Sequence, residues 1–112
     1  MRHKVILVTF PFDDLTGTKV RPAVCLTDAI GPHRHVTLAF ITSVVPVQLE
    51  PTDLLLQPGS ADFARTGLKV SSALRLHRVV TVSSAIIQRQ LGVLTPNLQA
   101  QVQQRLRALF AL

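Results

Sequence analysis

The amino-acid sequence predicts a mainly β protein, a small antiparallel barrel of short strands with one α-helix at its carboxyl end. Three observations predict this class. Short apolar, β-rich segments recur along the chain, Gly- and Pro-containing turns separate them, and clear helical periodicity is confined to the last segment. With 112 residues and 47% hydrophobic types, the chain is expected to form one domain, residues 1–112, with an ordered apolar core.

The first two strands flank a polar loop. Lys4–Phe10 has the sequence KVILVTF, which is apolar on both faces, as in a strand that is enclosed on both sides. Residues 11–20 contain two aspartates and a glycine and are predicted as a loop. The second strand is predicted at Arg21–Thr27, where Pro22 is tolerated because the first positions of a strand need not donate to the ladder. This order brings the Arg21 guanidinium to the rim of the sheet.

Four further strands are predicted downstream. Turn signals bound them, among them Gly31-Pro32 and Pro58-Gly59. The periodicity does not determine how the strands pair. The predicted strands are His35–Ser43, Asp53–Gln57, Ala73–Val82 and Gln88–Leu94.

A single helix is predicted near the carboxyl end, with Thr95 as its N-cap and Pro96 at its first position. Arg105 lies at the edge of the apolar stripe of this helix, where a long side chain can bury its methylenes and keep its charge in water. The stripe predicts that the helix packs on the barrel. It consists of Leu98, Val102, Leu106, Leu109 and Phe110.

Charge is unevenly distributed. The chain has 12 Lys and Arg against 6 Asp and Glu, a net charge of +6. All of the acidic residues precede residue 63, and seven basic residues with no acidic one follow from there. A half of the chain in which all charged residues are basic attracts polyanions or an acidic protein segment. The alternative is that these residues form only a solvated basic face. A domain this small and apolar is also expected to keep nonpolar surface for a partner or for its own copy.

Several classes of protein are excluded. One cysteine, Cys25, allows neither an internal disulfide nor a zinc site of the usual spacing. No P-loop or dinucleotide fingerprint is present, and no segment approaches the ~20 apolar residues of a membrane helix. The apolar start is interrupted by Pro11 and lacks a cleavage site, so no signal peptide is predicted. We therefore expect a soluble, cytoplasmic protein without a metal, a cofactor or a membrane partner.

Polar residues at strand ends are the candidate functional groups. Arg21 opens the second strand, and Thr42 and Ser43 close the third. Arg75 and His77 share one face of their strand, which places two donors about 7 Å apart. Each feature also has an ordinary structural alternative. These are a surface ion pair for Arg21, a turn cap for Thr42 and an exposed histidine without a function for His77.

Three blocks of sequence stand in a fixed order. The first runs from VILV at residue 5 through FPFDDLTGTK to RPAV at residue 24, and the second is AFITS at residues 39–43. The third comprises Gly67-Leu68, LRLHR at residues 74–78 and LGVLT at residues 91–95. Together, over almost the whole chain, they resemble the MazF/PemK family of toxin endoribonucleases of type II toxin–antitoxin systems.

This resemblance implies a CcdB/MazF-like fold, an SH3-like β-barrel with a C-terminal helix, that acts as a homodimer with RNA along the dimer interface. It implies metal-independent, sequence-specific cleavage of single-stranded RNA by attack of the ribose 2′-OH on the adjacent phosphate, which inhibits translation and growth. It also implies a cognate antitoxin with an acidic or amphipathic segment. By motif position, the catalytic residues are Arg21 and Thr42. The RNA-binding residues are Thr16, Lys19, Ser43, Arg75 and His77.

These residue types suit the reaction that the resemblance implies. A guanidinium stabilises a doubly charged phosphorane through charge-assisted hydrogen bonds, and a threonine hydroxyl can bond a non-bridging oxygen. Val80 and Ser83 stand where some branches of the family have an arginine and an aspartate. His77, whose residue type changes charge near neutral pH, is therefore the hypothesised proton carrier.

Two other functions stay open at this point. A CcdB-like toxin that poisons DNA gyrase would act through its C-terminal helix and would not need Arg21. A non-catalytic nucleic-acid-binding barrel fits the basic half, although the chain has no Trp or Tyr on which bases could stack.

Overall fold

The computed structural model describes residues 1–10 and 19–112. Most of the loop predicted at residues 11–20 therefore lies outside the described residues. Each predicted strand is confirmed, with ends that differ by at most two residues from the prediction. In chain order the elements are β1 (Lys4–Phe10), β2 (Lys19–Cys25), β3 (His35–Thr42), β4 (Asp53–Leu56), α1 (Ala61–Thr66), β5 (Ser72–Ser83), β6 (Ile87–Val93) and α2 (Pro96–Phe110).

These strands form one antiparallel sheet in the order β4-β5-β3-β2-β1-β6. The predicted class, mainly β with a C-terminal helix, is thereby confirmed. Within residues 1–10 and 19–112, β4 and β6 each pair along one side only, so the sheet is open rather than closed into a barrel. Register shifts in the β1–β6 and β3–β5 ladders bend it, since an extra residue on one strand increases the local twist.

The core lies on both faces of the sheet. β1 supplies Val5 to one face and Ile6 and Val8 to the other, and all three are buried, which confirms that this strand is enclosed on both sides. The helical face buries Val24, Ala39, Ile41, Leu54, Leu56, Phe63, Leu74, Leu76, Leu94, Leu98 and Val102. The opposite face buries Ala23, Cys25, Val36 and Leu38.

α2 begins as predicted. The Thr95 side chain accepts a hydrogen bond from the Leu98 backbone N–H at 3.3 Å, and Pro96 is the first helical residue. The predicted apolar stripe packs only along its first part, because Leu98 and Val102 are buried whereas Phe110 is 57% exposed. Leu106, which lies between Val102 and Phe110, is partly buried against the same core, so the packing of the stripe decreases toward the end of the helix.

α1 was not predicted, because six residues are too few to show helical periodicity. Local signals nevertheless define it: Ser60 accepts from the Phe63 N–H at 3.1 Å, and Gly67 ends the helix with φ +75°. A Cβ at Gly67 would lie 2.1 Å from the Leu91 carbonyl oxygen of β6. Glycine thus allows α1 to contact the backbone of β6 directly.

Candidate functional site

The β2–β3 ladder ends two residues before the two predicted catalytic residues, Arg21 and Thr42. The strands are antiparallel, with Ala23 opposite Phe40. If the same register continued by two residues, Arg21 would stand opposite Thr42 on the same face of the sheet. Both belong to strands whose buried residues fix which face each side chain takes.

An open cleft of about 400 Å³ lies at this end of the sheet. Arg21 and Ser43 line it, and Thr42 lies between Ser43 and another lining residue, Ile41. The remaining lining residues are Val20 and Pro22. Two predicted site residues from two segments, Arg21 and Ser43, therefore line one cleft, and Thr42 is not among its lining residues.

Arg21 and Thr42 are both half-buried. The Nε atom of Arg21 is buried, so the base of the guanidinium is enclosed by protein. The Thr42 hydroxyl oxygen accepts a hydrogen bond from the Val44 N–H at 3.1 Å, as in the turn-capping alternative. Its own O–H reaches the Val44 carbonyl only at 3.4 Å, so this proton can be given to a stronger acceptor.

Arg75 and His77 belong to a second polar cluster that also includes Thr52 and Asp53. Asp53 on β4 is directly opposite Arg75 on β5. The Arg75 Nε donates to Asp53 Oδ1 at 3.0 Å and Nη2 to Oδ2 at 3.4 Å. The His77 Nδ1 lies 2.8 Å from the Thr52 hydroxyl and 4.0 Å from Asp53 Oδ1. We call these four residues the Asp53 cluster.

The Asp53 carboxylate is fully buried, whereas the side chains of Arg75 and His77 are 24% and 31% exposed. Burial by itself raises the pKa of Asp53. The Glu50 N–H, which donates at 2.8 Å, and the Arg75 guanidinium act against burial, and together they hold this pKa below its ordinary value. The carboxylate is therefore ionised and paired at neutral pH.

The Asp53 cluster lies on the same face of the sheet as Thr42. Thr42 is opposite Ala73 on β5, and Arg75 follows two residues later on the same face, about 7 Å along the strand. The structure thus places Arg21 and Ser43 at the cleft, and it places Arg75 and His77 in a second polar cluster on β5.

Two predicted RNA-binding residues lie at or beyond the limit of the description. Thr16 is outside the described residues. Lys19 is the first residue of β2, where it pairs with Phe10, and its side chain is not described. Asp53, in contrast, was missed by the sequence analysis. Its only signal was its place at the start of the predicted fourth strand.

Cys25 does not provide a nucleophile. Its side chain is buried, and burial raises the pKa of its thiol to about 11, so it stays protonated at neutral pH. In the part of the chain that the structure describes, no helix is long and apolar enough to cross a membrane.

Comparisons with known proteins agree on one family. The model of the family described as "PemK-like, MazF-like toxin of type II toxin-antitoxin system" matches residues 1–110. The Mycobacterium tuberculosis toxin MazF-mt6 is similar in structure, with a TM-score of 0.73 and 21% identity over 97% of each chain. No match was found among curated proteins.

Two further similar structures contain antitoxins. An endoribonuclease from a mycobacterial species, in complex with its cognate antitoxin, has a TM-score of 0.70 and 17% identity over 100% of this chain and 95% of that one. A MazE-MazF structure from Deinococcus radiodurans has a TM-score of 0.70 and 15% identity over 99% and 95%. At these identities the structures establish a shared fold.

Proposed function

This chain belongs to the family of PemK-like, MazF-like toxins of type II toxin–antitoxin systems, and we propose that it is a sequence-specific endoribonuclease. In this proposal it acts as a homodimer, cleaves single-stranded RNA without a metal ion in the cytoplasm, and so inhibits translation and growth. The observation that carries the proposal is the cleft that Arg21 and Ser43 line at one end of the sheet.

The reaction is an internal transfer at phosphorus. The ribose 2′-oxygen forms a bond to the adjacent phosphorus while the bond to the 5′-oxygen breaks, which leaves a 2′,3′-cyclic phosphate and a 5′-hydroxyl. Negative charge accumulates on the non-bridging oxygens. Arg21 donates charge-assisted hydrogen bonds to those oxygens, and the hydroxyls of Thr42 and Ser43 supply further donors.

Two protons must move during this reaction: one leaves the 2′-hydroxyl and one reaches the 5′-oxygen. Arg21 is too basic to exchange a proton readily. We assign proton transfer to His77, whose Nδ1 is held by Thr52. Its Nε2 is then the ring nitrogen that meets the RNA, and Arg75 binds a phosphate next to it.

The second proposed partner is a cognate antitoxin with an acidic or amphipathic segment. The chain carries seven basic and no acidic residues from position 63 onward, so an acidic segment is attracted to this half. Two structures similar to this chain contain an antitoxin. The affinity of such a complex falls as salt rises.

The test is to incubate the purified protein with RNA of mixed sequence and to sequence the new ends. Arg21→Ala should lower the cleavage rate by roughly 10²–10³, the usual effect of losing one donor to a developing oxyanion. Arg107→Ala, an exposed arginine in the last turn of α2, is the matched control and should cleave normally.

Expression in cells separates the alternatives. Growth arrest should disappear in Arg21→Ala. Arrest that persists in this variant favours a gyrase-poisoning toxin instead, and retention of RNA without any cleavage product favours a non-catalytic nucleic-acid-binding protein.

A further inference from the structure

We infer that Asp53 is a positioning residue of the proposed nuclease site, which holds the Arg75 guanidinium and the His77 ring toward bound RNA. This inference rests on the proposed function and extends it to a residue that contacts no RNA. The argument has three steps: how Asp53 holds Arg75, how its neighbour Thr52 holds His77, and how β4 is itself fixed.

Asp53 restrains Arg75 at two points. Its two carboxylate oxygens face the Nε and Nη2 atoms at 3.0 and 3.4 Å. A guanidinium has five N–H groups in a fixed plane, so this contact fixes the plane and leaves the other N–H groups for a phosphate. The carboxylate is fully buried, whereas a quarter of the arginine side chain is exposed. The open side of the pair therefore belongs to Arg75.

The adjacent residue, Thr52, restrains His77. Its hydroxyl lies 2.8 Å from His77 Nδ1, and its carbonyl accepts the Leu76 N–H at 3.2 Å. Asp53 Oδ1 lies 4.0 Å from the same ring nitrogen. Thr52, which precedes β4, and Asp53, its first residue, thus orient both Arg75 and His77.

Asp53 is itself fixed from two sides. Its backbone N–H donates to the Glu50 carbonyl at 2.9 Å, and its carboxylate accepts from the Glu50 N–H at 2.8 Å. The Arg105 Nε of α2 donates to the Asp53 carbonyl at 3.1 Å. Arg105, whose charge was expected to lie in water, therefore also anchors β4. Residues 43–52 connect this point to Thr42. Asp53 therefore links α2 to the two donors of β5.

The buried charge indicates positioning rather than stabilisation alone. Replacing both members of a buried ion pair by apolar residues of similar volume is often neutral or stabilising, so stabilising the fold is not a sufficient reason for this pair. Its geometry favours a different role, because each contact that Asp53 makes with β5 restrains a side chain that is still partly exposed.

The test compares Asp53→Asn with Asp62→Asn. Asp62 is the matched control because its carboxylate also accepts two side-chain hydrogen bonds, from Thr95 and Asn97, on another part of the molecule. The readouts are kcat and KM for a short RNA that contains the mapped cleavage site, and the exchange rate of the Arg75 Nε–H measured by NMR.

We expect Asp53→Asn to lower kcat by about tenfold or more, because small misplacements of reacting groups cost up to about a hundredfold. KM should change much less, since the variant removes a negative charge and keeps Arg75. The Arg75 Nε–H should exchange faster than in the wild type. Asp62→Asn should leave all three values unchanged.

Unchanged kcat in folded Asp53→Asn, or an Arg75 Nε–H that is unprotected in the wild type, overturns the inference. If Asp53→Asn fails to fold, Arg75→Lys replaces it, because lysine keeps the charge and loses the planar fork. That variant should also lower kcat, and an unchanged kcat again overturns the inference. If the wild type cleaves no RNA, the proposed function fails, and the exchange measurement still decides whether Asp53 holds Arg75.

Discussion

The contact between α1 and β6 allows one prediction to be worked out in detail. Gly67 has φ +75°, and a Cβ there would lie 2.1 Å from the Leu91 carbonyl oxygen. Gly67→Ala therefore adds two costs. The left-handed backbone costs about 1–2 kcal/mol with a Cβ, and crowding against the backbone of β6 costs about 1–3 kcal/mol. The free energy of unfolding should fall by about 2–5 kcal/mol.

Two other glycines separate these costs. Gly31 has φ +73° and nothing within 4 Å of a Cβ. The free energy of unfolding of Gly31→Ala should therefore fall only by the backbone cost of about 1–2 kcal/mol. Gly92 has no positive φ, but its Cβ would lie 2.2 Å from the Arg65 carbonyl oxygen. The free energy of unfolding of Gly92→Ala should therefore fall only by the crowding cost, about 1–3 kcal/mol.

Urea unfolding of the three variants and the wild type, monitored by circular dichroism, measures these differences in the free energy of unfolding. The comparison requires that the dependence of that free energy on urea, the m value, is the same for all four proteins. Losses that are equal in Gly67→Ala and Gly31→Ala would show that backbone conformation alone requires glycine at position 67. The reasoning from close approach between α1 and β6 would then be refuted.

Three further predictions concern the titratable residues. Because the pKa of Asp53 is lowered in the folded protein, Asp53 stabilises the fold above its ordinary pKa and stops doing so as the pH falls through the folded value. When the pH is lowered from about 7 to about 3, the free energy of unfolding measured in urea should thus fall less for Asp53→Asn than for the wild type. An equal decrease in both proteins contradicts this. The Cys25 thiol, with its pKa raised to about 11 by burial, should react with a thiol reagent at about pH 8 only in urea, and rapid labelling of the native protein contradicts its burial. His77→Ala should cleave RNA more slowly than the wild type, and a wild-type rate across about pH 5–8 excludes proton transfer by His77.

The elements with strong local signals could be predicted from the sequence. The apolar segment at β1 and the Thr95-Pro96 pair at α2 define their elements through residues that are adjacent in sequence. α1 could not be predicted, because its evidence is an N-cap and a glycine around six residues. The exposure of Phe110 could not be predicted either, because it depends on how far the packed core reaches along the helix.

The site was predictable to a different extent. Motif position proposed Arg21 and Thr42, and the β2–β3 ladder, which ends two residues short of both, would set them opposite each other if its register continued. The partners of Arg75 were not predictable, because they depend on the pairing of β4 with β5 across 22 residues. Such non-local pairing leaves no periodic signal in the sequence. An arginine and an aspartate so far apart are recognised as partners only once the register is known.

An unclosed sheet exposes two outer strands to which another chain could add, the usual origin of edge-to-edge aggregation. In the described part of this molecule each outer strand discourages such growth in its own way. β4 has only four residues, too few hydrogen bonds for a stable addition. β6 is irregular in register along β1 and carries exposed Gln88, Arg89 and Gln90, so an incoming strand would meet a twisted, charged border.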